Sequence, residues 1–158
     1  MKGNNRRQYF TEAELGKLIS AARKGRYGHR DATLILIMAR HGLRVTEAVD
    51  LEWDQIDFVR AHLHVRRLKG GIASVHPIQG DELRALRELR RQTEGAFVFA
   101  SERGGPMTRF NVSKMVDGAG ERAGLPYGAS AHAQAHLWAF IGRCGTRYAA
   151  ASAVAWSC

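Results

Sequence analysis

The sequence has few of the residues that stabilise small secreted domains, and it has no long apolar run. Two cysteines, Cys144 and Cys158, are too few for a disulfide framework and suit reduced thiols. Three prolines, with 45% hydrophobic and 25% charged residues, exclude a disordered or collagen-like chain. No stretch has the character of a membrane span or a signal peptide. We therefore expect one globular domain in the cytoplasm, without a membrane partner.

Acidic residues are missing from the last part of the chain. Residues 129–158 contain no Asp or Glu, yet they hold both cysteines and two of the three tryptophans. The preceding residues are rich in charged side chains and leucine at helical spacing. This change of composition predicts two segments, part of a domain over 1–128 and an aberrant tail over 129–158.

Positive charge is abundant. The net charge is +9 and the sequence pI is about 10.3. A basic surface gains free energy when it displaces the counterions that condense on nucleic acid, so a nucleic acid is the expected partner. An anionic membrane surface is the weaker alternative, and many basic proteins bind no specific partner.

Apolar periodicity and capping residues predict five helices. A first helix covers about 12–23, opened by Thr11 with a glutamate three residues later. The apolar stretch "RDATLILIMARHG" is typical of a buried central helix that stops at Gly42. A third helix takes Thr46 as its N-cap, "GDELRALRELRRQ" forms an amphipathic fourth, and Thr108 opens the fifth.

A single hairpin is the only clear sheet signal. The β-branched stretches "AHLHVRRL" and "IASVHPI" flank a turn formed by Lys69, Gly70 and Gly71. "AFVFAS" is predicted as a short strand or an extended segment. The fold class predicted is therefore mainly α (α+β), helices with a small antiparallel hairpin sheet, without internal repeats.

Two motifs in this order resemble a known family. "HGLRVTEAVDLEWDQIDF" followed by "VRRLKGGIASVHPI" resembles the front half of the catalytic domain of the tyrosine recombinase (phage integrase) family. The short recombinases that invert fimbrial promoter segments are especially similar. In the family, G-L-R-x-S/T-E carries the first catalytic arginine, which matches Arg44, and a hairpin-turn lysine matches Lys69. The resemblance runs from about Phe10 to Leu125 and implies a partial recombinase catalytic domain.

The resemblance also implies a chemistry. The family's tyrosine attacks a DNA phosphodiester and forms a 3′-phosphotyrosine, through a transition state with negative charge on the non-bridging oxygens. Arg44 would donate to that charge with a planar fork, and Lys69 would protonate the leaving 5′-oxygen. The implied partners are double-stranded DNA and other recombinase protomers, with no cofactor and no metal.

Each of these residues has a plainer interpretation. Arg44 as a helix-capping surface arginine and Lys69 as an ordinary turn lysine are both common situations. The order and spacing of "GLRVTE", "LEWDQID", "RRLKGG" and "HPI" together favour the family interpretation. Glu47 is expected to be structural, packed against the loop that holds Arg44.

The second half of the family's motif set is missing. No H-x-L-R-H, L-G-H or nucleophilic tyrosine follows Leu125, and Tyr127 and Tyr148 stand in other surroundings. Codons for the tail, moved by one nucleotide, permit HPHMLRH and then L-G-H, in family order. We therefore predict that the tail is an out-of-frame product, with the shift between Leu125 and Ala129.

The tail also contains residues of metal-binding type. His132 and His136 lie four apart, and Cys144 and Cys158 are able to complete a zinc set. Closed structural sites usually use tighter cysteine spacings, and the out-of-frame origin explains all four residues without metal. No metal site is predicted.

The function predicted is therefore that of a site-specific recombinase family protein which is truncated and inactive as written. It lacks the second arginine, the histidine boxes and the tyrosine, so its status as an enzyme is open. The alternatives are a non-catalytic DNA-binding remnant, or regulator of an intact recombinase, and a product without function.

Overall fold

A computed structural model of the chain describes residues 10–66 and 73–125. Within these ranges it has five α-helices, three short strands and one 3₁₀ turn, Trp53–Gln55. The helices are α1 (Glu12–Arg23), α2 (Gly28–His41), α3 (Val45–Val49), α4 (Gly80–Gln92) and α5 (Arg109–Arg122). The strands are β1 (Ile56–Asp57), β2 (His62–Val65) and β3 (Ser74–Pro77). The predicted mainly α fold with a small antiparallel sheet is confirmed.

Helix α1 begins with the predicted capping box. The Glu14 backbone N–H donates to Thr11 Oγ1 at 3.2 Å, and the Thr11 N–H donates to Glu14 Oε2 at 2.9 Å. These two bonds satisfy amide groups that the first helical turn leaves without a partner. The helix buries Leu18, Ala21 and Ala22 and packs against α2 and α5.

Helix α2 is the central helix of the core. Leu34, Ile35 and Ile37 are buried, and α1, α3 and α4 all pack against this helix. Gly42 ends it in the left-handed conformation, with φ 65° and ψ 36°, and its N–H donates to the Met38 carbonyl. The predicted glycine stop is confirmed, because this conformation is costly for a residue with a Cβ.

Helix α3 begins earlier than predicted. Arg44, and not Thr46, occupies the N-cap position, with extended backbone angles of φ −65° and ψ 154°. The Arg44 N–H donates to Glu47 Oε2 at 2.9 Å. A glutamate in the first helical turn thus satisfies the amide of the N-cap residue, as the glutamate of a capping box does. The expected structural role of buried Glu47 is confirmed.

The sheet contains the predicted hairpin and one additional strand. Strands β2 and β3 pair antiparallel, with Leu63 opposite His76, and β1 adds to the other edge of β2 with Ile56 opposite Leu63. A strand of two residues has no visible alternation, which explains why β1 is not recognisable in the sequence. The turn itself, with Lys69, lies outside the described residues.

The "AFVFAS" segment is extended and belongs to the core. Val98 and Phe99 are fully buried, and the Val98 N–H donates to the Leu51 carbonyl at 2.9 Å. Single bridges join Phe97 to Glu52 and Ala100 to Pro106. The segment therefore connects to its neighbours through isolated bridges and not through a regular strand.

Helix α5 completes the described core. The Thr108 hydroxyl accepts the Asn111 N–H at 3.1 Å, so the predicted N-cap is confirmed. Val112, Val116 and Ala119 face inward against α1 and α3. The proposed boundary between 1–128 and 129–158 lies outside the described residues. Within 10–66 and 73–125, no helix is long and apolar enough to cross a membrane.

Candidate active site

Arg44 lies in the tight connection between the central helix and α3. Gly42 ends α2 in the left-handed conformation, and the two neighbours of Arg44, Leu43 and Val45, are both buried while Arg44 is exposed. The alternation follows from the backbone, since one residue between two inward-facing ones must face outward. The fold therefore presents a guanidinium at the surface of the domain on a short, well-packed segment.

Glu47 supports this segment from beneath. Its side chain is buried in the first turn of α3, and Oε2 accepts the Arg44 N–H. A buried carboxylate is stable only when donors surround it, so its bond to this N–H fixes the backbone of Arg44. The arginine side chain is thus carried on a backbone whose position is set by the core.

Lys69, which is predicted to lie in the hairpin turn, is outside the described residues. Strands β2 and β3 on either side of it are described, and His76 of β3 contacts His41 at the end of α2. The predicted meeting of Arg44 and Lys69 on one face stays a prediction.

A polar cluster that the sequence motifs did not predict lies close to Arg44. His41, the last residue of α2, places Nε2 2.9 Å from Glu82 Oε1 and Nδ1 3.2 Å from His76 Nδ1. It therefore ties α2 to α4 and β3, three residues before Arg44. The only signals in the sequence were a histidine at the end of the central helix and the histidine of "HPI", which lies in β3.

A second contact joins α2 to α4 at the same end. The Arg40 guanidinium donates to both carboxylate oxygens of Asp81, at 2.5 and 2.7 Å. The hydrogen bond from Arg40 lowers the pKa of Asp81 below its ordinary value. This bidentate pair keeps the end of α2 fixed on the N-terminal turn of α4.

A cleft of about 790 Å³ opens where the start of α2, the 101–108 segment and α5 meet. Arg30 lies in it and donates to Asp31 Oδ1 at 2.9 Å and to the Ala100 carbonyl at 3.0 Å. Burial raises the pKa of Asp31, although the charge of Arg30 acts in the opposite direction. Because its guanidinium is already bonded within the chain, Arg30 serves first to pack this cleft.

No metal centre is formed by the part of the chain that the structure describes, since it contains no group of three or more His, Cys, Asp or Glu able to hold an ion. The four tail residues considered for zinc, His132, His136, Cys144 and Cys158, lie outside that part. So do Tyr127 and Tyr148.

The comparisons with known proteins agree with the geometry. The chain matches the family model described as "Phage integrase family" over residues 8–141, a match that runs past Ala129. The type 1 fimbriae regulatory protein FimE of Escherichia coli (strain K12) is 34% identical over 127 residues, which are 76% of this chain and 64% of that protein. The chain thus spans about 64% of the length of this relative.

Solved structures show the same fold. XerA recombinase superimposes with a TM-score of 0.71 at 23% identity, over 87% of this chain and 51% of that one. XerH site-specific recombinase, solved in a pre-cleavage complex with difH substrate, gives a TM-score of 0.70 at 16% identity, over 87% of this chain and 44% of that one. The described helices and sheet therefore have the fold of these recombinases.

Proposed function

The chain belongs to the phage integrase family, and from that membership we propose that it acts on duplex DNA as part of a site-specific tyrosine recombinase. The observation that carries the proposal is the placement of Arg44. It is exposed at the G-L-R position, on a turn whose backbone the buried Glu47 holds. A guanidinium on a turn of fixed position is suited to bind an anion in one orientation.

The proposed role of Arg44 is to bind the phosphate that is cleaved. Its planar fork of donors matches two non-bridging oxygens at once, which an ammonium group does not. Because the turn is preorganised by the core, the donors need little rearrangement as negative charge develops on the phosphate.

The proposed role of Lys69 is that of a general acid. A lysine in a hairpin turn is able to reach a phosphate held by another element and to give its proton to the leaving 5′-oxygen. Strands β2 and β3 would set the position of the turn, and the contact of His76 in β3 with His41 would hold the hairpin on the helix that precedes Arg44.

The proposed partners follow from the substrate. XerH was solved on its DNA substrate, and we propose duplex DNA and further recombinase protomers as the partners of this chain. The proposed location is the cytoplasm, as expected from the sequence.

The nucleophile is proposed to be absent from the chain as written. Tyr127 and Tyr148 lack the surroundings of the family's tyrosine, and the tail from about Ala129 is proposed to be out of frame. Binding to DNA and cleavage of DNA are therefore separate properties here, and the first is open to test on the present chain.

Replacing Arg44 by alanine tests the binding role. The affinity of the full chain for a fluorescent duplex is measured by anisotropy over a series of salt concentrations. For the unaltered chain, log affinity should fall linearly with log salt, and Arg44→Ala should weaken binding and reduce the slope by about one. Arg44→Lys keeps the charge but not the planar set of donors. It should therefore restore the salt dependence but only part of the affinity.

Arg91→Ala is the matched control, because Arg91 is an exposed arginine in the last turn of α4, at the end opposite to Asp81. It removes the same charge and should leave the affinity almost unchanged. Equal losses in Arg44→Ala and Arg91→Ala would mean that the binding is non-specific attraction to a basic protein, and the proposed role of Arg44 would be wrong.

A further inference from the structure

A chain of polar side chains links the end of α2 to α4 and to the hairpin. The side chains of His41 and Glu82 are both 0% exposed, and His41 Nε2 lies 2.9 Å from Glu82 Oε1. On the other side of the ring, His41 Nδ1 lies 3.2 Å from His76 Nδ1. His76 Nε2 in turn lies 2.9 Å from Ser74 Oγ. Hydrogen bonds thus run without a break from the core to the half-buried surface of the hairpin.

The surroundings of Glu82 determine which nitrogen of His41 carries a proton. Glu82 Oε2 accepts the Gln79 N–H at 2.8 Å and lies 3.4 Å from Arg40 Nη1. Donors therefore face this carboxylate, and a buried carboxylate oxygen needs a donor as its partner. His41 must present an N–H at Nε2, which leaves its Nδ1 as the acceptor when the ring is neutral.

The two facing Nδ1 atoms have room for one proton between them. With both rings neutral, His76 Nδ1–H donates to His41 Nδ1, and the Ser74 hydroxyl donates to His76 Nε2. A first added proton binds His76 Nε2, and the Ser74 oxygen then accepts. Transfer of the shared proton to His41 moves the positive charge next to Glu82. A second added proton puts N–H groups on both Nδ1 atoms, which repel each other.

The charges next to His41 favour the first added proton. Glu82 on α4 is in contact with His41, and Arg40 on α2 lies beside both Glu82 and Asp81. A positive charge on His41 is therefore balanced by the Glu82 carboxylate that its ring contacts.

The two histidines belong to the two elements that carry the proposed site. His41 is followed by Gly42 and Leu43 and then by Arg44, while His76 lies in the strand that returns from the turn with Lys69. We propose that His41 and His76 are positioning residues, which hold the hairpin against the Arg44 turn while at most one of the two rings is protonated. The importance of this link for catalysis rests on the proposed function, but the link itself does not.

Nuclear magnetic resonance of the full chain, labelled with ¹⁵N, tests the link directly. The ring nitrogens should report an Nε2–H on His41, and the pH is then lowered from about 8 to about 5, the range in which histidine titrates. The amide signals of residues 42–44 and 73–76 should shift together along one common curve. If these side chains only filled the core, a change of protonation in the hairpin would not shift the amide signals of the Arg44 turn.

His76→Asn removes the ring that titrates but keeps a donor for the hydrogen bond to His41. Its amide N–H stands close to the place of the lost Nδ1–H but does not titrate, so the fold should persist while residues 42–44 lose their pH response. His64→Asn is the control, because His64 is exposed on the neighbouring strand and lies outside the chain of bonds. It should leave the response of residues 42–44 unchanged.

An unchanged pH response of residues 42–44 in His76→Asn would overturn the proposal, as would independent titration of the two rings with no common curve. The anisotropy assay is run on the same variants. If no variant binds DNA but the amide curves behave as expected, the proposed function fails and the link stands. If all variants bind DNA and the common curve is absent, the link fails alone.

Discussion

The bidentate contact between Arg40 and Asp81 is the residue-scale feature most open to measurement. It joins α2 to α4 on the same helical turn that ends at His41. The Asp81 side chain is about half exposed (48%), so solvent screens the pair and its contribution to stability is modest. The position of the pair matters more than its contribution to stability, because the pair holds the end of α2 that leads into the Arg44 turn.

Asp81→Asn should lower the free energy of unfolding by about 0.5 kcal/mol at neutral pH. The pKa of Asp81 is lowered in the folded state, so its stabilising effect is present above the pKa of the unfolded chain, about 4. It is lost as the pH falls through the lower folded value. Urea unfolding followed by circular dichroism at about pH 7 and about pH 3 should therefore show a larger difference between variant and parent at the higher pH.

Asp50→Asn is the control for this measurement. Asp50 is an exposed carboxylate at the end of α3, and Asp50→Asn removes the same charge while the contact between Arg40 and Asp81 stays intact. A difference between Asp81→Asn and the parent that is as large at pH 3 as at pH 7 would mean that the pair does not stabilise through charge.

Helix ends and turns are the features that determine the site at the scale of elements. α2 ends at His41 with Gly42 as its C-cap, and α3 begins at Val45 with Arg44 as its N-cap, so the connection between the two helices is too short to move independently. The positive φ of Gly42 makes this possible, because a residue with a Cβ adopts it only at a cost. One glycine thus sets the direction in which the chain enters the Arg44 turn.

The same substitution at two glycines should have opposite effects. Gly42→Ala should destabilise the protein by about 1–2 kcal/mol, since alanine at φ 65° is strained. Gly16→Ala should stabilise it by about 0.5–1 kcal/mol, because Gly16 lies inside α1 with open space at its Cβ position. Thermal or urea unfolding of both variants checks the signs, and a stabilising Gly42→Ala would show that the left-handed turn is not needed.

At the scale of the whole molecule, charge is unevenly distributed along the chain. Of the 24 Lys and Arg residues only Arg143 and Arg147 follow Ala129, so 22 basic residues stand against all 15 acidic ones before it, a net charge of +7. The excess of positive charge, on which the proposed binding to DNA depends, therefore lies mostly in the segment before the tail. The residues expected to complete the chemistry would come from the segment after it.

Moving the reading frame by one nucleotide near codon 127 should create the ability to cleave DNA. The new frame would supply H-x-L-R-H and L-G-H, and reading on should reach the nucleophilic tyrosine, which completes the donors around the phosphate. The restored protein should form a covalent adduct with a nicked duplex that carries its site, and inverted repeats that flank the gene are the first candidates. Denaturing gel electrophoresis detects the adduct.

Two comparisons make this result decisive. Arg44→Ala in the restored protein should abolish the adduct, since the remaining donors cannot hold the phosphate in line. An adduct formed by the present 158-residue chain would contradict the frame hypothesis, because it would mean that Tyr127, Tyr148 or another residue here is a working nucleophile.

The local features of this protein were determined by the sequence itself. The capping box at Thr11, the stop at Gly42 and the N-cap at Thr108 depend on residues three or four positions apart, and the hairpin pairs residues only 9 to 15 positions apart. Such contacts are visible in a linear sequence because their geometry is fixed by the backbone within one or two turns. The motif around Arg44 was recognisable for the same reason, since all its residues are consecutive.

Only the tertiary structure decided how these pieces meet. His41, His76 and Glu82 are up to 41 positions apart, and nothing in the chain order indicates that they share hydrogen bonds. The start of α3 also depended on such detail, because it is the buried Glu47 carboxylate that makes Arg44 and not Thr46 the N-cap. Long-range packing sets these contacts through the shape of the core, and a sequence pattern carries only the period of a helix or strand, not the partner that its face will find.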